Sequence, residues 1–265
     1  MATQTNRRQV EPETVSAPPR SRRVRPVAPR RQVAPRRAWY LPIKHTVDLG
    51  LALLLGIVAV PVVALAALAV KLTSRGPVFY TQVRVGRGGR TFTIFKLRSM
   101  VHNCESLTGP RWSMPGDPRV TPVGWFLRKT HLDELPQLLN VLCGEMSLVG
   151  PRPERPEFIP ALEREVPGYR QRLSVRPGVT GLAQVQLPPD SDLDSVRVKL
   201  VHDLYYVEHV SPWLDVRLLL CTACYALGLP FRVLGRVFGV PASATIEKSM
   251  RGATGEPAAR VRLAA

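Results

Sequence analysis

The pattern of apolar and polar positions divides the chain into unlike parts. Residues 49–70, LGLALLLGIVAVPVVALAALAV, carry no charge over 22 positions and are apolar on every helical face. At about 1.5 Å rise per residue such a helix just spans a bilayer core, so it reads as a membrane segment. Pro61 stands near its middle; lacking an N–H, and with its ring against the preceding turn, it predicts a kink. Farther on, 78–85 and 91–97 are rich in β-branched and aromatic residues around Gly86, Gly88 and Gly89, the pattern of a β-hairpin. Leu135, Leu138, Leu139 and Leu142 recur at helical spacing, with Pro136 in the first turn and Gly144 as the stop. A second apolar run, 218–231, is too short to span and reads as either an interfacial or a core helix. The expected fold is α+β and helix-rich, with a small β-hairpin and amphipathic helices following one apolar helix.

Charge alters that picture. Lys and Arg total 37 against 20 Asp and Glu, a net +17, which invites a polyanionic partner: nucleic acid, an anionic membrane or phosphate-bearing substrates. Residues 1–40 hold ten Arg, two Glu and six Pro, or +8 of the total. A segment so composed cannot bury enough surface to offset its ordering entropy, and reads as a disordered basic tail, solvated or attracted to anionic membrane lipid. No helix-turn-helix, finger or aromatic RNA-binding signature follows, so nucleic acid is not expected as a partner. Both flanks of the apolar segment are positive, with Lys44 before it and Lys71 and Arg75 after it, where a crossing helix should show asymmetry. A kinked re-entrant helix over 44–72, both ends cytoplasmic, fits the charges and Pro61; a single span with a tolerated proline is the alternative. The expected cytosolic domain covers 73–240, and 241–265 reads as a flexible tail. Four cysteines exclude a disulfide scaffold, and Cys221 and Cys224 read as small apolar residues on one helix face.

Candidate chemistry gathers in the middle of the chain. Lys71, Arg75, Arg84, Arg87, Arg90, Lys96 and Arg98 follow one another with no acid until Glu105. That run is either a solvated basic face or a surface for phosphate or lipid headgroups. Asp133 and Glu134 then precede the Leu135 helix, where acids ordinarily cap. Amid Arg128, Lys129 and Arg152 the pair could instead share a divalent cation while staying ionised, and an ionised Asp is a competent nucleophile toward phosphorus.

Six stretches carry a resemblance: KHTVDLGL (44–51), GPVFYTQVRVG (76–86), FTIFKLRSM (92–100), DPRVTPVGWFLRKTHLDELPQLLNVLCGEMSLVGPRPE (117–154), RPGVTGLAQV (176–185) and DLYYVEHVSPWLD (203–215). In these motifs, taken in order, the chain resembles the bacterial sugar transferase family of monotopic polyprenyl-phosphate phosphoglycosyl transferases. The resemblance implies an enzyme on the cytoplasmic face of the bacterial inner membrane, at the first membrane step of exopolysaccharide or other glycan synthesis. It would transfer a sugar 1-phosphate from a UDP-sugar to polyprenyl (undecaprenyl) phosphate and release UMP. Asp133 would form a phosphosugar-aspartyl intermediate and Glu134 would hold Mg²⁺. Lys96, Arg98, Arg128 and Arg152 would contact diphosphate, nucleotide or lipid phosphate. Two positions depart from the family pattern: His131 stands where Ser is usual, and Val60 precedes Pro61 where Ser is usual. A membrane-tethered, non-catalytic basic adaptor in glycan assembly is the rival reading. Sugar identity and oligomeric state are not encoded in any motif.

Overall fold

The computed structural model describes residues 31–106, 109, 116–190, 192–226 and 228–250. The apolar segment lies within α1 (Tyr40–Thr73), a single 34-residue helix with Pro61 inside it. The hairpin follows as β1 (Phe79–Val85) and β2 (Thr91–Leu97), antiparallel, with Phe79 opposite Leu97 and Val85 opposite Thr91. Gly88 and Gly89 take φ of 67° and 86° at its turn, which glycine adopts without steric cost. α2 (Pro122–Lys129) starts at Thr121, whose Oγ1 accepts the Gly124 N–H at 2.9 Å, with Pro122 in the first turn.

The leucine-spaced region departs from expectation. Residues Leu132–Gln137 form a 3₁₀ turn, and only Leu138–Leu142 is α-helical, as α3. His131 enters this turn in the left-handed region at φ 57°, and Pro136 cannot donate a backbone hydrogen bond, so an α-helix does not start at Asp133. The two acids therefore sit within a tight turn instead of capping an α-helix. Gly144, at φ 74°, ends α3 as expected.

The remainder is β3 (Ser147–Val149), α4 (Ile159–Glu165), β4 (Gly178–Thr180), α5 (Leu182–Gln186), α6 (Leu193–His209), α7 (Pro212–Ala226), α8 (Phe231–Val237) and α9 (Ser243–Ser249). β3 and β4 pair in parallel, Ser147 opposite Gly178. A capping box of Asp192 and Ser195 opens α6. The 218–231 run is split: α7 begins six residues earlier at Pro212, and Pro230 starts a new helix after a turn at Gly228. Leu214, Leu218 and Cys221 of α7 are buried while Trp213, Val216 and Leu220 are exposed, so α7 has both a core face and an apolar outer face.

Part of each expected tail packs against the folded domain. Of 1–40, residues 1–30 lie outside the described residues, but Val33 is buried and Arg31 and Arg36 pair with Glu208 of α6. That counter-charge comes from 170 or so positions away, which local composition cannot show. Of 241–265, α9 is ordered against α6 by buried Ile246 and Met250, and 251–265 lies outside the described residues.

Burial on α1 runs opposite to that of a water-soluble helix. The buried stripe is Tyr40, Lys44, Asp48, Ala52, Ala59, Ala66 and Val70, mostly small or polar. Leu53, Leu54, Leu55, Ile57, Val58, Val60, Leu65, Leu68 and Leu72 are exposed. An apolar surface of this kind marks membrane association. Polar groups hold the N-terminal end: Lys44 Nζ lies 2.8 Å from Asp215, Tyr40 and Tyr206 hydroxyls donate to that carboxylate at 2.9 and 2.7 Å, and Ser147 donates to Asp48 at 2.6 Å. Ala66 and Val70 hold the other end against Leu97 and Leu127.

Candidate active site

The site forms where β2 ends against the 132–137 turn. Lys96, the penultimate residue of β2, donates to Glu134 Oε1 at 2.7 Å. Arg152 comes from the loop after β3, held by the Gly150 N–H to Thr180 O and the Gly178 N–H to Pro151 O, both at 2.9 Å. It reaches Glu134 with two N–H groups, one on each carboxylate oxygen. Glu134 thus holds two cations, whereas Asp133, only 6% exposed, carries no ion pair among the described residues. Arg128 borders the pair from α2, its Nε donating to Ser99 Oγ at 2.9 Å.

The electrostatics separate the two carboxylates. Burial, then the Glu134 charge, push the Asp133 carboxyl up, against the opposing pull of Lys96, Arg128 and Arg152. Burial would raise Glu134 too, but Arg152 and Lys96 with their hydrogen bonds outweigh it and hold Glu134 well below the usual range. Burial lowers Lys96, opposed by Glu134. One carboxylate is thereby neutralised by partners, and the other is buried, poorly solvated and free of them.

Lys96, Arg128, Asp133, Glu134 and Arg152 therefore come together, and Arg98 does not join them. Its guanidinium donates to Ser74 O and Oγ at 2.8 Å and to Arg75 O, binding the carbonyls at the end of α1. Arg98 fits an anchor of the membrane helix and not a phosphate contact. Pro61 lies within α1, away from this cluster. His131 is exposed, its ring 5.9 Å from that of Tyr225 on α7.

Two supporting residues were not anticipated. Asn140 of α3 is fully buried; its Oδ1 accepts the Phe95 N–H at 3.2 Å and its Nδ2 donates to Thr93 O at 2.7 Å, joining α3 to β2 as a strand would. Arg172 donates to the carbonyl of Arg152 at 2.7 Å while pairing with Asp203 at 2.6 Å. Its place in YRQRLS, two residues from the exposed Arg170, gives no local signal of that role.

A divalent cation fits the donor chemistry. Among the described residues no cluster of three or more His, Cys, Asp or Glu exists, but Mg²⁺ commonly uses one or two carboxylates and takes its remaining ligands from substrate phosphate and water. Glu134 and Asp133 provide such a pair. Arg152, whose side chain is 43% exposed, borders the same carboxylate from the solvent side.

The family model described as bacterial sugar transferase matches residues 39–228. A protein of Aeromonas hydrophila named UDP-N-acetylgalactosamine-undecaprenyl-phosphate N-acetylgalactosaminephosphotransferase is 46% identical over 179 residues, covering 66% of this chain and 42% of its own length. A Bacillus subtilis protein named putative undecaprenyl-phosphate N-acetylgalactosaminyl 1-phosphate transferase is 48% identical over 136 residues, 51% of this chain and 75% of its own. A Caulobacter vibrioides protein named UDP-glucose:undecaprenyl-phosphate glucose-1-phosphate transferase is 42% identical over 181 residues, 68% and 67% respectively. The chain therefore spans less than half the length of the Aeromonas relative.

Proposed function

The chain belongs to the bacterial sugar transferase family, and on that premise we propose that it moves a sugar 1-phosphate from a UDP-sugar to undecaprenyl phosphate, releasing UMP. The observation that carries this reading is the unpaired, buried Asp133 beside a Glu134 that holds two cations. An Asp133 oxygen attacks the sugar-bearing phosphorus; a P–O bond forms, the bond to the UMP phosphate breaks, and UMP leaves with that electron pair. An oxygen of the lipid phosphate then attacks the same phosphorus, and Asp133 departs as a free carboxylate. Poor solvation makes the ionised carboxylate the stronger nucleophile. Lys96, Arg128 and Arg152 are placed to neutralise phosphate oxygens as charge shifts between them. Mg²⁺ is proposed at Glu134 with Asp133, where it would neutralise the diphosphate. A non-catalytic adaptor has no use for a buried unpaired carboxylate.

Membranes supplied with radiolabelled UDP-sugar, undecaprenyl phosphate and Mg²⁺ test this. Wild type should make lipid-linked sugar and UMP, and Asp133→Asn should lower the yield by several orders of magnitude. Equal yields would refute the mechanism. Relatives are named for both N-acetylgalactosamine and glucose, so a UMP-release screen over a panel of UDP-sugars identifies the donor.

The proposed place is the cytoplasmic face of the inner membrane, with α1 dipping in and returning. Both ends of α1 are fastened to one folded domain, through Lys44–Asp215 at one end and Ser74–Arg98 at the other. Such fastening favours both ends on one side. Cysteines introduced before Lys44 and after Arg75 should label from the same side, and labelling from opposite sides would refute it.

A further inference from the structure

A second basic constellation lies away from Asp133. The hairpin turn, the loop after α3 and the segment before β4 enclose a cleft of about 560 Å³, lined by Gly86, Arg87, Arg90, Cys143, Glu145 and Arg176 among others. That volume falls within the range of small-ligand sites. Arg87 and Arg90 are exposed and make no ion pair among the described residues. Arg176 is half-buried, its Nε donating to Gly144 O at 2.9 Å; it makes no ion pair among the described residues, and Asp48 lies near enough to favour its charge. Glu145, the acid at the cleft, already accepts a hydrogen bond from Asn140 at 2.8 Å. Arg87 and Arg176 also share a narrow gap with Lys44 and Asp48 of α1. Burial, and then the neighbouring Arg87, disfavour the Arg176 charge with Asp48 opposing them, so the concavity gathers three guanidiniums around one lining carboxylate, Glu145.

We propose that this cleft is a second anion site, which binds a phosphate group separately from the Asp133–Glu134 centre. Thr91 and Lys96 are five residues apart on one strand, so the cleft stands about 17 Å from the catalytic cluster along β2. One bound ligand monophosphate cannot serve both. Planar guanidiniums suit phosphate oxygens in bidentate geometry. The phosphate could belong to a soluble compound or to a lipid headgroup, since the cleft adjoins the first turns of α1, whose outer face is apolar.

Cys143 is exposed and lines the cleft, which gives a readout independent of turnover. The full chain in nanodiscs is alkylated with a maleimide, and the rate at Cys143 is read by peptide mass spectrometry with Cys104 as internal control. In neutral phosphatidylcholine discs, inorganic pyrophosphate should slow Cys143 labelling; in phosphatidylglycerol discs, slowing without pyrophosphate assigns the site to a headgroup. In Arg87→Gln/Arg90→Gln the pyrophosphate concentration for half-protection should rise at least about tenfold, and Arg87→Lys/Arg90→Lys should recover much of the loss. Unfolding temperatures matching wild type show that the exposed turn tolerates the changes. Absence of protection by either anion, or full protection persisting in the Gln variant, overturns the proposal.

Discussion

Replacing Glu134 by Gln removes a charge that faces two cations, Lys96 and Arg152. Lys96 and Glu134 side chains are 15% and 12% exposed, 2.7 Å apart, so the variant leaves an ammonium in a largely dry site with only an amide to accept from it. Breaking a buried pair by removing one partner costs about 3–5 kcal/mol, most of it the penalty of the remaining charge. Arg152, 43% exposed, can turn to water and adds little. A loss near the lower bound, about 3 kcal/mol, is expected, or roughly 6–12 °C in Tm for a domain of this size. Thermal unfolding of detergent-solubilised protein at matched scan rate measures it. Lys96→Met in the Glu134→Gln background removes the stranded ammonium and should recover at least about half of the loss, a coupling that a double-mutant cycle reads. The pH dependence has a definite sign. Glu134 is depressed below its ordinary 4.5, so its contribution is complete above that value and is lost as pH falls through the lower folded value. The gap between wild type and Glu134→Gln should therefore be full at pH 7 and close toward strongly acidic pH. A variant melting within about 1 °C of wild type at pH 7 would refute the reasoning.

Other consequences are separately measurable. The raised Asp133 carboxyl implies that single-turnover formation of the phosphosugar adduct rises with pH through a value above 3.8 and then levels; a break below 3.8 would exclude burial as the controlling influence. A Cβ on Gly124 would lie 1.9 Å from Ser99 O, so Gly124→Ala should push α2 off the segment that follows β2 and lower stability by about 1–3 kcal/mol in the same melt. Arg172→Met strands the buried Asp203 and should cost about 3–5 kcal/mol; Arg172→Met/Asp203→Leu should regain most of it, and an additive double would show that the pair is not coupled.

The hairpin was legible because β-branched runs around glycines are a local signal, and the structure keeps β2 at Thr91–Leu97 as expected. The Asp133–Glu134 pair stood out for its basic neighbours, and Lys96, Arg128 and Arg152 do gather around it. What local pattern could not divide was the charge run from Lys71 to Arg98, where every member looks alike in sequence. Arg84 bonds Pro153 O and Glu154, Lys96 takes Glu134, Arg98 takes the end of α1, and Arg87 and Arg90 border a separate cleft. Each destination is set by a partner some 20 to 90 positions away, and periodicity carries no information at that range. The 3₁₀ turn at Asp133 was missed for a related reason: leucine spacing registers which face is apolar, not that His131 adopts a left-handed backbone before Pro136.

The exit of β2 connects membrane helix to chemistry within four residues. Lys96 bonds Glu134, Leu97 packs on Ala66 and Val70 of α1, Arg98 binds the carbonyls ending α1, and Ser99 accepts from Arg128. Ser99 O also accepts the Thr121 N–H at 3.1 Å, and Gly124 lies against the same carbonyl, so α2 is fixed to that point as well. The helix and the site are therefore held as one body through this short segment. Lys96 and Arg128 are fixed relative to α1 through this segment, while Arg152 comes from the loop after β3 and keeps a side chain 43% exposed.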